Sequence, residues 1–261
     1  MVFIDTHFHA SPDVMPRRLT ISAAASEYKA ENGLVWVKRH DGETISSSNV
    51  LFKQGIDVGG IAVLQPKDIE DLSHLEIILS QCKGNLRPIV SLPTKWVPEF
   101  VDMLSSTYFK NKIKCIFEMI IKYDAVLATG HIPSNIFLDV IFNDFLNLEN
   151  IPLLVTHAFH PCVYCNDGLH REISNFFNAF FEHTELTYSL GRICLDRHLS
   201  ILTNCRNLIY SSDFGQVGSP DVHTWRENSC NLFRLANLTR FRCEEISFRN
   251  AAKLLIRDYR N

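Results

Sequence analysis

The run Val2-Phe3-Ile4-Asp5-Thr6-His7-Phe8-His9-Ala10 decides how the rest of the chain is read. Its first half is apolar and β-prone, and two imidazoles come next, two residues apart. Side chains alternate faces along a strand, so His7 and His9 point the same way from one strand end. Both rings can then reach one metal ion, and imidazole nitrogen is a good ligand for zinc, iron, nickel and manganese. Taken alone, the His-x-His spacing fits surface or capping histidines equally well. Residues further along the chain tip the balance toward a metal site.

Working outward, short apolar, β-branched runs alternate with helical patterns. The candidate strands are 2–5, 34–38, 56–64, 88–92, 125–129, 153–156, 186–189 and 208–211. Between them, segments with helical spacing fall at about 20–31, 46–54, 67–81, 96–121, 134–148, 169–183, 196–203 and 220–256. Such alternation predicts a parallel sheet with crossover helices. Eight units in 261 residues match the size of a TIM (β/α)8 barrel forming one domain over 1–261. A doubly wound open sheet would alternate in the same way. The polar residues separate the two. His7 and His9 end the first candidate strand, Lys38 and His40 the second; His131 follows 125–129, His157 follows 153–156 and Asp213 follows 208–211. Only in a closed barrel do such strand ends converge on one face, with Asp213 expected opposite the first strand.

Composition narrows the function classes. With 46% hydrophobic and 21% charged residues the chain has material for a large core. The formal net charge of −3 carries no electrostatic footprint for nucleic acid. No apolar run reaches the roughly 20 residues of a membrane span. The N-terminus shows no signal-peptide pattern, and eight scattered cysteines suit a reducing compartment, so a cytoplasmic protein is expected. The expected partner is a small-molecule substrate, with a homo-oligomer as the base-rate assembly.

A hydrolytic metal site needs protein ligands that leave a position open for water, whose pKa the metal lowers toward neutrality. His7, His9, His131 and His157 supply nitrogens for such a site, and Asp213 a carboxylate that binds or relays a proton. The mixed set suits Zn2+ first, with Fe2+, Mn2+ or Ni2+ as alternatives. Each residue also has a plainer reading. His131 could open the following helix, His157 could be a core histidine, and Asp213 lies in Ser211-Ser212-Asp213-Phe214-Gly215, where Asp commonly forms turns.

Together, Phe3-Ile4-Asp5-Thr6-His7-Phe8-His9, Thr129-Gly130-His131, Val155-Thr156-His157 and Ser212-Asp213 resemble the amidohydrolase superfamily of metal-dependent hydrolases. The fuller pattern is similar to a little-characterised amidohydrolase-like subgroup of unknown function. It comprises Asp-x-His-x-His-x-x-Pro-Asp over 5–13, Lys38-Arg39-His40, Leu92-Pro93-Thr94, Asp213-Phe214-Gly215-Gln216 and the closing run Arg249-Asn250-Ala251-Ala252-Lys253-Leu254-Leu255. The resemblance implies a distorted (β/α)8 barrel with one or two divalent metals. It implies hydrolysis of a C–N bond (amide, lactam, imide or amidine), and less often of an ester, by metal-activated hydroxide. His7 and His9 would bind one metal. His131 and His157 would bind a second, or one of them would polarise substrate. Asp213 would be ligand and general base. Many two-metal members carry a carboxylated lysine or glutamate after strand four. Here Lys95 fits that place poorly, and the lysine that ends a strand cleanly is Lys38. Lys38 then reads as a metal bridge, a catalytic or substrate-holding cation, or a surface residue. The alternatives in function are a phosphoesterase or nuclease on the same barrel, and a non-catalytic ligand-binding relative.

Further candidates are weaker. His40, His160 and Gln216 are placed to contact substrate, as is His223. Cys162 and Cys165 form a lone Cys-x-x-Cys, which reads as loop, structural metal or redox pair. Arg17-Arg18 reads as a solvated loop or an anion contact. The aromatic run 176–181 has helical spacing and is expected to pack on the barrel. Gly59-Gly60 within a strand marks a bulge or a close approach. No Gly-x-Ser-x-Gly elbow argues for a serine hydrolase.

Overall fold

Eight strands lie side by side in sequence order, every neighbouring pair parallel, in the computed structural model, which describes residues 2–93, 103, 106–142, 151–176 and 178–259. They are β1 (Phe3–His9), β2 (Gly33–Lys38), β3 (Gly59–Val63), β4 (Ile89–Ser91), β5 (Val126–Ala128), β6 (Pro152–Val155), β7 (Asn178–Thr184) and β8 (Leu208–Ser211). A two-residue strand, Gly42–Glu43, pairs antiparallel with β3. The seam between β1 and β8 nearly closes the ring. His9 N donates to Phe214 O at 2.8 Å and Asp213 N donates to His7 O at 2.9 Å. The architecture is therefore a TIM barrel, as the alternation predicts.

The barrel interior is filled by one or two residues from each strand: Ile4, Trp36, Ile61, Val63, Ile89, Val126, Ala128, Leu154, Phe180 and Ile209. Ala251, Ala252, Leu254 and Leu255, from the closing helix Asn250–Leu255, join this cluster and plug the end opposite the polar residues. Helices cover the outer face. The helix Thr107–Lys122 shows why: Phe109, Ile113, Ile116, Phe117 and Ile120 lie on one stripe and are all buried, and Ser106 Oγ caps its first turn. The predicted helices 96–121 and 134–148 overlap this helix and the turn Ser134–Ile136 with the π-helix Phe137–Phe142. Parts of both predicted spans, together with Thr94 and Lys95, lie outside the described residues.

Three expectations are corrected. Residues 186–189 are not a strand but part of the helix Glu185–Ser189, and the seventh strand is Asn178–Thr184, inside the stretch expected to be helical. Ala179 to Thr184 are all buried because the strand is sandwiched between the barrel interior and the helical layer. Such a strand loses the two-residue alternation that would reveal it. Secondly, β1 runs through His9 rather than stopping at Asp5, with a register irregularity between Asp5 and Phe8. Its seam with β8 also places Asp213 beside the first strand, not opposite it.

The expected close approach at Gly59-Gly60 is real. A Cβ on Gly59 would lie 2.2 Å from the Trp36 ring, and one on Gly60 would lie 2.6 Å from Ile45 Cα. Gly215 is tighter still. Its φ is +120°, and a Cβ there would lie 1.9 Å from His9 O. Gly215→Ala is expected to destabilise by about 1–3 kcal/mol from the backbone conformation alone, with the clash against β1 adding to it. A urea denaturation midpoint unchanged from the native protein would contradict this account of the seam.

Candidate metal centre

Asp213 is the hub of the site. Its Oδ1 lies 3.3 Å from His7 Nε2 and 3.4 Å from His9 Nε2, and its Oδ2 lies 3.8 Å from His157 Nε2. Three imidazole nitrogens from two strand ends thus surround one carboxylate, and His7, His157 and Asp213 form a group able to hold a metal ion. His157 and Asp213 immediately follow Thr156 and Ser212 at the exits of β6 and β8. Both adopt left-handed backbone, with φ of 50° and 58°. That conformation is uncommon for residues other than glycine and costs on the order of 1–3 kcal/mol, so it persists only where the surroundings enforce it. Here Asp213 N is tied to His7 O, and His157 N donates to Glu182 Oε2 at 3.3 Å.

Glu182, which the sequence reading missed, organises the centre from below. It is fully buried on β7. Its Oε2 lies 2.9 Å from His7 Nδ1 and its Oε1 accepts from Thr6 Oγ1 at 2.8 Å. A carboxylate on Nδ1 keeps the proton there and turns the lone pair of Nε2 outward, the arrangement found behind metal-binding histidines. His7 Nε2 is indeed buried without a hydrogen-bond partner. Burial raises the pKa of Glu182, while the Thr6 hydroxyl and the Lys38 charge oppose the rise.

Asp5, also fully buried, performs the equivalent task for β8. Its carboxylate accepts from Ser212 N and His7 N at 3.1 and 3.0 Å, and from the hydroxyls of Ser212 and Tyr28. These bonds fix the residue before Asp213 against β1. Burial nevertheless pushes Asp5 up to about 6.

The other expected residues divide by position. Lys38 ends β2, is 2% exposed, and carries a pKa lowered by burial against the pull of Glu182 and Asp213. His131 sits beside His157, with ring centroids 4.8 Å apart, and its Nδ1 is buried without a partner. Gly130 makes this possible: at φ 62° it lets the chain pass Leu92 O, which a Cβ would meet at 2.3 Å. The His40 ring stacks on His9 at 4.5 Å. His160 is one step further out, with its ring 6.2 Å from that of His157 and its Nδ1 2.8 Å from Cys162 Sγ. Gln216 spends its amide on the loop, donating to Asp213 O and accepting from Ser219. His223 pairs with Glu31 and Glu227 on the exposed face of the helix Val222–Leu235. Cys165 is buried in the core and Cys162 is exposed, and His170 lies against Cys205. Arg17 is not a solvated loop residue; its side chain has no exposed area.

His7, His131 and His157 are held neutral. Burial pulls His7 and His157 well below the ordinary imidazole value, and burial with the Lys38 charge takes His131 down to about 3. Neutral imidazoles are the form that binds metal. Outside the barrel wall His183 is lowered in the same way, and burial takes His198 to about 4. The unfolded chain takes up a proton at each of these five residues near pH 6.5, whereas the folded chain does so only at lower pH. Their contribution to stability is therefore complete above about 6.5 and is lost as pH falls below it. The raised carboxylates Asp5, Glu182 and Glu185 act in the opposite sense, but are fewer. The metal-free protein is expected to unfold at lower urea concentration at pH 5 than at pH 7.5; an equal or higher midpoint at pH 5 would contradict the neutral-histidine assignment.

Set against known proteins, residues 2–67 match the model of a family described as "Family of unknown function (DUF6282)". No curated protein matches the chain in sequence. Among solved structures, the chain is similar to a protein from Pseudomonas putida named "Putative 2-Pyrone-4,6-Dicarboxylic Acid Hydrolase". The TM-score is 0.57 at 12% identity, covering 97% of this chain and 96% of that one. This likeness is one of fold. No described helix is long and apolar enough to cross a membrane.

Proposed function

We propose that this protein is a metal-dependent hydrolase of a small molecule, with the amidohydrolase superfamily as its family and a C–N bond as the bond cleaved. The observation that carries the reading is the convergence of His7, His9 and His157 Nε2 on the Asp213 carboxylate. The donor set fits a divalent cation. It is three imidazole nitrogens and one carboxylate, one nitrogen is orphaned, and a buried glutamate fixes its tautomer. Zinc suits this set first, and iron(II), manganese or nickel are compatible with it. When bound, such a cation supplies Lewis acidity that makes water nucleophilic near neutral pH.

The remaining chemistry belongs to the chain. His7, His157 and Asp213 would hold the ion, with His9 completing the set. Asp213, with two oxygens at the hub, would take a proton from the attacking water and deliver it to the leaving nitrogen. Lys38 and His131 border the same space and would polarise the substrate carbonyl oxygen. His40 and His160 lie around them as candidate substrate contacts, whereas the Gln216 amide is engaged within its own loop. The named activity of the Pseudomonas putida protein and the C–N chemistry implied by the amidohydrolase resemblance support hydrolysis. A phosphoesterase would be expected to line its mouth with several cations, yet Arg17 is buried against Asp13.

The test is a substrate panel on metal-loaded protein: amides, lactams and imides, esters and lactones, and phosphate mono- and diesters. Release of amine or carboxylate from the first group, at rates above the others, is expected. Turnover confined to the phosphate esters would replace this reading with the phosphoesterase one.

A further inference from the structure

Ligand-type atoms gather a second time beside the first group, in His9, Asp13 and His40. A cation already stands among them. The Arg17 Nη2 lies 2.7 Å from Asp13 Oδ2, 2.7 Å from His40 Nδ1 and 3.3 Å from His9 Nδ1. Arg17 Nε donates to the same Asp13 oxygen at 2.8 Å. His40 Nδ1 also lies 3.0 Å from that oxygen. The Asp13 and Arg17 side chains are both without exposed area. Against the effect of burial, hydrogen bonds from His9, His40 and Arg17 hold the Asp13 carboxyl well below its ordinary value.

We infer that Arg17 is a built-in cation occupying the place of a metal ion, so that the His9–Asp13–His40 cluster is closed to metal. The inference rests on the metal-dependent reading above. Its physical basis is competition for the same lone pairs. A metal in the cluster would need the Asp13 oxygen and the His40 Nδ1 that now face guanidinium N–H groups. It would also have to sit against a charge that cannot be shed, because arginine is not deprotonated in proteins. Sequence provides the plug locally: Arg17 follows Asp13 by four residues in the loop that leaves β1. The plug has a consequence for the first group too. Arg17 and Asp13 restrain the His9 ring from its Nδ1 side, while its Nε2 faces Asp213, so the orientation of His9 does not depend on a second ion.

The experiment compares bound zinc, by elemental analysis after loading and dialysis, in wild type, Arg17→Met, Arg17→Lys and Arg17→Met/His40→Ala. Cobalt titration followed by visible absorbance gives an independent count. Arg17→Met removes the charge and keeps most of the aliphatic stem. It is expected to bind one equivalent more than wild type, and adding His40→Ala is expected to remove that equivalent. Arg17→Lys, which retains a cation, is expected to match wild type. No gain in folded Arg17→Met would overturn the inference and leave the hydrolase reading intact. So would a wild type with two equivalents that falls to one in His40→Ala, a result that does not depend on the Arg17 variants folding. A wild type that binds no metal would overturn the metal-dependent reading, and this inference with it.

Discussion

Asp213→Asn is expected to lower turnover by roughly 10²–10⁴-fold at saturating metal, the range typical of losing a positioned general base. The asparagine is nearly isosteric and keeps one oxygen, so the hydrogen bond from Asp213 N to His7 O and the turn after β8 are expected to survive. The asparagine oxygen and His7, His9 and His157 remain to hold the ion, so at saturating metal the bound amount is expected to stay close to wild type while affinity falls. The variant therefore separates proton transfer from metal binding. It is assayed on whichever substrate of the panel is hydrolysed, alongside metal content. Full turnover in Asp213→Asn would remove Asp213 from the mechanism.

Glu182→Gln carries the second large effect. The amide keeps the shape of the side chain but loses the charge that favours a proton on His7 Nδ1. It also presents either an oxygen or an NH2 to that ring, and the NH2 orientation would drive the proton to Nε2, where metal should bind. Loss of such an outer carboxylate commonly costs about 10–100-fold in metal affinity. The same loss is expected here, read by competition with a chromophoric chelator. A weaker protein with unaltered affinity would show that Glu182 supports the fold without tuning the ligand.

These two residues show what the sequence made legible and what it hid. Asp213, His131 and His157 each follow an apolar run directly, so their place at a strand exit can be read from neighbours in the chain. His7 and His9 declare themselves by spacing. Glu182 has no such signal, because Phe180, Glu182 and Ile209 face one interior while Ala179, Phe181 and Leu208 face the helices, and all are buried. A strand covered on both sides has no polar face to alternate with, and its aromatic run mimics helical spacing. A single carboxylate amid such a run was the available clue. Arg17 was misread for a different reason. A guanidinium in a loop is ordinarily solvated, and only the fold brings Asp13 and the rings of His9 and His40 around it. The expected ring closure held, but the position of Asp213 around it did not, since adjacency across the β1–β8 seam is a property of closure rather than of any one segment.

His7, His157 and Asp213 are proposed to form a metal centre. Its most direct test is the metal content of purified protein, with and without His7→Ala/His157→Ala, after expression with zinc, iron and manganese supplied. About one equivalent of a divalent metal is expected in the wild type, and its loss in a variant that stays folded. A folded wild type that carries no metal, and takes up none when it is added, would contradict it.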